Sequence, residues 1–219
     1  MRALRNLAAA ITLGAGPAWA ETVEIVALGD SLTQGYGLIQ EDGFVPQLEA
    51  WLQQQGADVT VVNAGVSGDT TAGGLSRVDW AITSQTDAMI VALGGNDLLR
   101  GIDPEVSRAN LDAILSYAEA EEVEVLLVGM QATPNYGPDY KTAFDAMYPD
   151  LSDAYGTLYV ESFFSGLMQD GDIEAARTAY MQADGIHPNA EGVARIVEEM
   201  GPAVLDLVRA VGGCPEGCS

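Results

Sequence analysis

The sequence predicts a three-layer α/β/α sandwich around a mostly parallel sheet of about five strands. Short apolar runs alternate along the chain with segments long enough to form helices, a pattern typical of this fold class. The apolar runs are continuous rather than interrupted at every second residue, as expected for strands that are buried on both faces. The 219 residues suit one domain with a substantial core.

The strands are the apolar runs that are too short for helices. In chain order they are predicted at residues 23–28, 58–62, 88–93, 124–130 and 157–160. Right-handed crossovers between parallel neighbours would place the intervening helices on both faces of the sheet.

The helices are predicted in the segments between these strands. In chain order they span residues 44–55, 73–85, 105–121 and 139–155, and a last helix ends near residue 211. The first is amphipathic and the second is mixed in composition. In the third, Val106, Leu111 and Ile114 recur at helical spacing after Pro104. Asn189 can cap the last helix.

The composition indicates a globular, strongly acidic protein. Hydrophobic residues make up 48% of the chain, and 32 Asp and Glu stand against 9 Lys and Arg, for a formal charge of −23. Such a surface repels phosphate backbones and anionic headgroups, so no nucleic-acid partner is expected.

The first twenty residues resemble a secretory signal peptide. Arg2 and Arg5 precede an apolar stretch over 7–16, and the letters AWA end at Ala20. Cleavage after Ala20 would leave a domain over 21–212 in the periplasm or outside the cell. An amphipathic first helix is the alternative. No later apolar run is long enough to span a membrane, so stable membrane insertion is not expected.

The two cysteines lie in a short tail over residues 213–219. Cys214 and Cys218 can form a small terminal disulfide in an oxidising compartment, or remain two idle thiols. A metal site is not expected there, because four ligands are usual and the single histidine lies elsewhere.

Ser31 is the candidate nucleophile. It follows the first predicted strand in the letters GDSL, and a helix beginning after it would point backbone N–H groups toward a developing oxyanion. In open α/β sheets the working residues gather at the carboxyl ends of the strands. The alternative is an ordinary turn or helix-capping serine.

His187 favours the catalytic interpretation. It is the single histidine of the chain, and Asp184 precedes it by three residues. That spacing lets the Asp184 carboxylate reach Nδ1 of His187 and leaves Nε2 free to take a proton from Ser31. A capping or surface histidine is the alternative.

Two glycine-rich segments are candidate sources of oxyanion donors. Residues 63–70 follow the second strand and residues 94–97 follow the third. Glycine lets the backbone approach a ligand closely, and an asparagine amide donates two hydrogen bonds. Neither segment has the lysine of a phosphate-binding loop or the glycine spacing of a dinucleotide fingerprint.

Four segments together resemble the sequence blocks of SGNH (GDSL-type) hydrolases. They are, in the family's order, GDSLTQG, NAGVSGDT, LGGNDLLRG and DGIHPN. The chain is most similar to the bacterial periplasmic group of thioesterase I, arylesterase and lysophospholipase, including PNYG at 134–137 and AMYP at 146–149. The resemblance implies a flavodoxin-like α/β/α fold and no cofactor. Residues 130–133, MQAT, depart from the group's pattern, so an acyl-chain preference is not implied.

The resemblance also assigns site residues. It implies that Ser31 is the nucleophile and that Asp184 and His187 complete the triad. The Ser31 N–H, the Gly68 N–H and the Asn96 side chain would form the oxyanion hole. Substrate-binding residues would be Asn135, Asp97 and Leu98.

The expected activity is hydrolysis of a small acyl ester or thioester through an acyl-serine, with no metal. Two alternatives remain open: a carbohydrate acetylesterase and a non-catalytic binding protein on the same fold. A monomer is expected.

Overall fold

A computed structural model describes residues 22–167 and 173–213, and for Ile173 it describes the backbone alone. The predicted signal peptide and the cysteine tail from residue 214 lie outside the described residues. The strands are β1 (Val23–Gly29), β2 (Val59–Gly65), β3 (Ala88–Ala92), β4 (Glu124–Val128) and β5 (Leu158–Val160). The helices are α1 (Ser31–Gln34), α2 (Phe44–Gln54), α3 (Thr71–Leu75), α4 (Val78–Ala81), α5 (Gly95–Arg100), α6 (Pro104–Ala120), α7 (Pro138–Tyr155), α8 (Ile173–Tyr180) and α9 (Ala190–Ala210).

The five strands form one parallel sheet in the order β2-β1-β3-β4-β5. The register pairs Gly29 at the end of β1 with Gly65 on one side and with Ala92 on the other. The carboxyl ends of β1, β2 and β3 therefore lie side by side. The three sequence segments that follow them meet at one edge of the sheet.

Two apolar cores cover the faces of the sheet and confirm the three-layer architecture. In β1, Ile25 and Ala27 belong to the core beneath α2 and α9, whereas Val26 and Leu28 belong to the core beneath α6 and α7. Successive strand side chains point to opposite faces, so a continuous apolar run supplies both cores. This explains why the strands show no polar alternation.

The predicted elements are confirmed with small shifts of their ends, with one exception. Residues 73–85 do not form one helix, because the segment divides into the short helices α3 and α4 around Ser76 and Arg77. Asn189 caps α9 as expected, its side chain accepting a hydrogen bond from Gly192 N at 2.9 Å. Val106 is exposed on α6 rather than buried, since the apolar face of this helix runs through Leu111 and Ile114.

None of the helices in the described ranges combines the length and apolar character needed to cross a membrane.

Candidate active site

Ser31 begins α1 directly after β1, at the carboxyl edge of the sheet. Asp30 is the N-cap of this helix, and its carboxylate accepts the Leu32 N–H at 2.9 Å. Gly35 ends the helix after one turn, with a positive φ of 86°. The chain therefore turns sharply at Ser31 and leaves its side chain partly exposed at the wall of a cavity.

The structure brings Ser31, His187 and Asp184 together in a continuous hydrogen-bonded row. His187 Nε2 lies 2.8 Å from Ser31 Oγ, and His187 Nδ1 lies 2.7 Å from Asp184 Oδ2. The three side chains come from opposite ends of the sequence, as the motifs predicted. One imidazole thus contacts both an alcohol and a carboxylate, the geometry in which a serine can be deprotonated during attack.

Asp184 is held as an anion by its own loop. Its Oδ1 accepts the backbone N–H groups of Ile186 and His187, at 2.9 and 3.1 Å. The hydrogen bond from His187 and these two backbone bonds lower the pKa of Asp184 from 3.8 to about 2. A carboxylate that remains ionised favours the tautomer with the proton on Nδ1, so Nε2 can accept the serine proton.

The loop that carries His187 is fastened by Gln182. The Gln182 N–H donates to the His187 carbonyl at 2.8 Å, and its side-chain amide donates to the carbonyls of Tyr36 and Pro188. The ring of Tyr36 contacts the imidazole, with centroids 4.5 Å apart. Both contacts fix the direction in which the imidazole faces Ser31.

Gly68 and Asn96 lie on the wall of the cavity that also contains Ser31. Gly68 has a φ of 82°, a conformation that favours glycine, and this allows the loop after β2 to turn at the cavity. Asn96 is the second residue of α5, after β3. The three predicted donors therefore lie at the ends of three neighbouring strands.

Asp30 orients the side chain of Asn96. Asn96 Nδ2 donates to Asp30 Oδ2 at 3.1 Å, so the amide nitrogen is assigned to that side and its second N–H remains for another acceptor. Burial raises the pKa of Asp30 from 3.8 to about 6, against the lowering effect of the hydrogen bonds from Leu32 and Asn96. The residue next to the candidate nucleophile is thus a buried carboxylate with a perturbed pKa.

Two arginines hold the backbone of the candidate oxyanion loops. Arg77 donates to the carbonyls of Gly29 and Ala64 at 2.9 and 2.7 Å and to the Asp69 carboxylate at 2.7 Å. Arg100 donates to the Gly68 carbonyl at 2.8 Å. The ends of β1 and β2 and the loop through Gly68 are therefore tied to one another.

The cavity beside Ser31 has a volume of about 720 Å³ and a largely apolar wall. Its apolar lining includes Leu98, Leu99, Met130, Phe164, Met181 and Ile186. A cavity of this size and character suits a small apolar ligand.

Two of the three predicted substrate-binding residues do not line this cavity. Asp97 is fully buried, and its carboxylate accepts hydrogen bonds from Thr71 N, Thr71 Oγ1 and Ser107 Oγ, so it fastens α5 to its neighbours. Asn135 is exposed on a 3₁₀ turn, outside the cavity wall. Leu98, the third, does line it.

In the part of the chain that the structure describes, no three His, Cys, Asp or Glu side chains converge in an arrangement that could ligate a metal ion.

Comparison with known proteins identifies the family. The model of the GDSL-like lipase/acylhydrolase family matches residues 27–195, more than half of the chain. The chain belongs to this family. As a member, it is an enzyme that hydrolyses acyl ester bonds, and the resemblance seen in the four sequence blocks is confirmed.

Relatives of this acylhydrolase cover most of its length. Esterase TesA of Pseudomonas aeruginosa is 38% identical over 185 residues, which is 84% of this chain and 89% of the relative. Thioesterase 1/protease 1/lysophospholipase L1 of Escherichia coli K12 is 33% identical over 84% of each chain. The crystal structure of AlinE4, an SGNH-hydrolase family esterase, is 38% identical, with a TM-score of 0.68 over 86% of this chain and 98% of that one.

Several residues that shape the acylhydrolase site carried no recognisable signal in the sequence. Tyr36, Gln182 and Arg77 reach the site through contacts that join distant segments, and such contacts have no periodic pattern. Arg77 alone could have drawn attention, as one of few cations in an acidic chain that lies close after a glycine-rich segment.

Proposed function

We propose that this acylhydrolase cleaves carboxylic esters and acyl thioesters with Ser31 as its nucleophile. The observation that carries the proposal is the position of His187, within hydrogen-bond distance of Ser31 on one side and Asp184 on the other, beside an apolar cavity. Neutral His187 accepts the proton of Ser31 as the hydroxyl attacks the acyl carbonyl.

The carbonyl oxygen becomes negatively charged in this step. The backbone N–H groups of Ser31 and Gly68 and the free amide N–H of Asn96 are the donors that stabilise it. His187 then protonates the leaving alcohol or thiol, which departs as the acyl-serine forms. A water deprotonated by the same imidazole attacks the acyl-serine and releases the acid, which restores the Ser31 hydroxyl. Asp184 stabilises the imidazolium in both halves of the reaction.

The apolar wall supports a substrate with an alkyl acyl chain rather than an acetylated carbohydrate. Each methylene that leaves water for such a wall contributes about 0.8 kcal/mol, or roughly fourfold in binding. Leu98, Phe164 and Met181 supply that surface. A carbohydrate acetylesterase would gain nothing from it, since its acyl group is a single methyl.

The protein is proposed to act after export. The basic start, apolar stretch and Ala-Trp-Ala ending of the first twenty residues support removal of a leader after Ala20 and a periplasmic or extracellular location. An N-terminal sequence of the secreted protein that begins at Glu21 would support this. Recovery of the chain with Met1 intact would contradict it.

A chain-length series tests the proposed function. We expect kcat/KM for 4-nitrophenyl esters to rise about two- to fourfold per methylene from acetate until the cavity is filled. Ser31→Ala should lower kcat by about 10⁴ to 10⁶ on every substrate. Activity in Ser31→Ala close to that of the wild type would contradict the assignment, and a maximum at acetate would favour the acetylesterase alternative.

A further inference from the structure

Two basic side chains, one that lines the cavity and one that contacts Gly68 on its wall, differ from the other cations of this acidic protein. The described ranges contain seven Lys and Arg. Four are paired with carboxylates and a fifth, Arg195, lies over the ring of Tyr180. The four ion pairs are Arg77–Asp69, Arg108–Asp150, Lys141–Asp145 and Arg209–Asp206. Within the described part of the chain, the remaining two, Arg100 and Arg177, have no carboxylate within 4.0 Å.

Arg177 lies beside the catalytic histidine loop. It is on α8, lines the cavity and is exposed to solvent. Its guanidinium covers Gly185, where an added Cβ would lie 2.6 Å from Nη2, and Gly185 precedes His187 by two residues. The charge therefore lies beside the segment that carries His187, at the wall of the same cavity.

Arg100 lies on the side of the oxyanion loop. It ends α5 and donates to the carbonyl of Gly68 at 2.8 Å while remaining exposed. A guanidinium has five N–H donors, so this single hydrogen bond leaves most of its donors available. Among the described residues, these two cations without a carboxylate partner thus lie on α8 and at the end of α5, next to Gly185 and Gly68 of the cavity wall.

The wall of the cavity is also poor in acids. Of the described residues that line it, Asp30 is the one carboxylate, and it is 3% exposed and hydrogen-bonded to Leu32 and Asn96. The whole chain carries 32 Asp and Glu. Apart from the Asp184 carboxylate, which is hydrogen-bonded to His187 and to two backbone N–H groups, few acids oppose the positive charge of Arg177 at this wall, and that charge favours an anion there.

We propose that Arg177 binds an anionic oxygen group, phosphate or carboxylate, on the leaving group of the substrate, and that Arg100 strengthens the attraction. This inference rests on the proposed function, because His187 must lie next to the leaving atom. A planar guanidinium binds both oxygens of such a group at once. The apolar cavity holds the acyl chain while the charged part of the leaving group stays at the exposed mouth.

A pair of esters whose leaving groups differ by one negative charge tests whether Arg177 binds an anionic leaving group. Hexanoyl esters of 4-hydroxybenzoate and 4-hydroxybenzamide share the acyl chain and have nearly the same shape. In Arg177→Gln we expect the ratio of kcat/KM for the anionic ester to that for the neutral ester to fall about tenfold. Arg177→Lys should retain a higher ratio than Arg177→Gln, and 1 M NaCl should lower the wild-type ratio toward that of Arg177→Gln.

Arg209→Gln is the matched control. It removes the same charge from the last turn of α9, which ends near the start of β1, at the edge of the sheet away from Ser31. Its ratio should equal that of the wild type. An Arg177→Gln ratio within twofold of the wild type, or an equal fall in Arg209→Gln, would overturn the inference.

Two further substrates distinguish the sources of a phosphate. A lysophosphatidyl ester and an acyl-CoA thioester of equal acyl length each replace the anionic benzoate ester. For each of them, the ratio of its kcat/KM to that of the neutral benzamide ester is measured in the wild type and in Arg177→Gln. If Arg177→Gln lowers the ratio for only one of these two substrates, Arg177 binds the phosphate of that leaving group. If the ratio falls for neither substrate, the group that Arg177 binds is a carboxylate and not a phosphate. If the wild type hydrolyses none of these esters, the proposed function itself fails; if it hydrolyses them without a change of ratio, only this inference fails.

Discussion

At the scale of single residues, Asp30 combines a cost in stability with a position next to the candidate nucleophile. It is 3% exposed, and burial raises its pKa to about 6, so the folded protein resists its ionisation. Its ionised carboxylate nevertheless accepts the hydrogen bond that orients Asn96. Near pH 8 the site therefore holds a buried charge that costs folding free energy, and in the proposed mechanism this charge orients one of the oxyanion donors.

Asp30→Asn should raise the free energy of unfolding at pH 8 by about 2–3 kcal/mol, the cost of a pKa shift from 3.8 to about 6. The sign follows from proton binding. Between pH 3.8 and about 6, Asp30 binds more protons in the folded state than in the unfolded state, so the stability of the wild type falls as pH rises through this range. Urea unfolding should show a smaller difference at pH 5 than at pH 8. A variant that is less stable than the wild type at pH 8 would contradict the burial argument.

The same substitution should lower kcat more than it raises KM, because an asparagine at position 30 can donate as well as accept and no longer fixes the Asn96 amide. We expect a fall of about 10- to 100-fold in kcat on a medium-chain ester. An unchanged kcat in Asp30→Asn would contradict the proposal that Asp30 orients the Asn96 amide for catalysis.

Asn96→Ala should lower kcat by about 10² to 10³ with little change in KM, as expected for a donor used mainly in the transition state. Steady-state kinetics on one ester measures both constants. Asn135→Ala, on the exposed 3₁₀ turn, is the comparison and should keep kcat within about threefold. Equal losses in the two variants would contradict the placement of Asn135 outside the cavity.

At the scale of elements, the site depends on how the ends of β1 and β2 are joined. Arg77 lies outside both strands, but its side chain joins them. It donates hydrogen bonds to the carbonyls of Gly29 and Ala64 and to the Asp69 carboxylate at once. A fork of donors is needed to reach three acceptors in different directions. The loop through Gly68 is thereby fixed relative to Ser31.

Arg77→Lys should therefore lower both stability and activity. One ammonium cannot replace the three contacts, and the freed carbonyls are partly buried, so we expect a loss of about 1–3 kcal/mol in unfolding free energy. Thermal unfolding and ester kinetics on the same preparation measure the two effects. Arg108→Lys changes an exposed ion pair with Asp150 and should cost less than about 0.5 kcal/mol. A wild-type kcat in Arg77→Lys would show that the loop does not need this tether.

The elements that the sequence predicted are those with a strong local pattern. The apolar runs indicated all five strands, and helical spacing indicated α2, α6, α7 and α9. A helix beginning after Ser31 was expected from its position behind a strand, but its length of one turn was not, and the short α5 was not predicted, since its stability depends on contacts such as Asp97 with Thr71 rather than on periodicity. The eight residues of α8, which carry Arg177, were also missed.

The candidate site was partly predictable for a related reason. A single histidine left one choice of base, and Asp184 precedes it by three residues, so the candidate triad could be predicted from residue types and spacing. The roles of Asp30, Tyr36 and Gln182 depend on long-range contacts, and the burial of Asp97 depends on how α5 packs. No local pattern encodes these features.

At the scale of the whole molecule, charge is the dominant property. Loss of Arg2 and Arg5 with the proposed leader would change the formal charge of −23 by −2, to −25. Acidic side chains then repel one another over most of the surface, and compaction brings them closer. Arg177 at the cavity wall and Arg100 beside Gly68 place positive charge near Ser31 within this acidic surface.

Added salt should therefore stabilise the protein. We expect Tm to rise by about 3–6 °C between 10 mM and 0.5 M NaCl at pH 8, because the screening length shortens from about 30 Å to a few ångströms. Differential scanning calorimetry measures the change, and KCl should produce the same rise. A Tm that falls with either salt would mean that attractive ion pairs outweigh the net repulsion.

The central claim is that Ser31 forms a covalent acyl intermediate with the help of His187. Mass spectrometry after reaction with a fluorophosphonate ester tests it most directly. We expect one adduct per chain, located by peptide mapping at Ser31, with no adduct in Ser31→Ala and much slower labelling in His187→Ala. An adduct at another residue, or hydrolysis that continues after Ser31 is fully labelled, would contradict the claim.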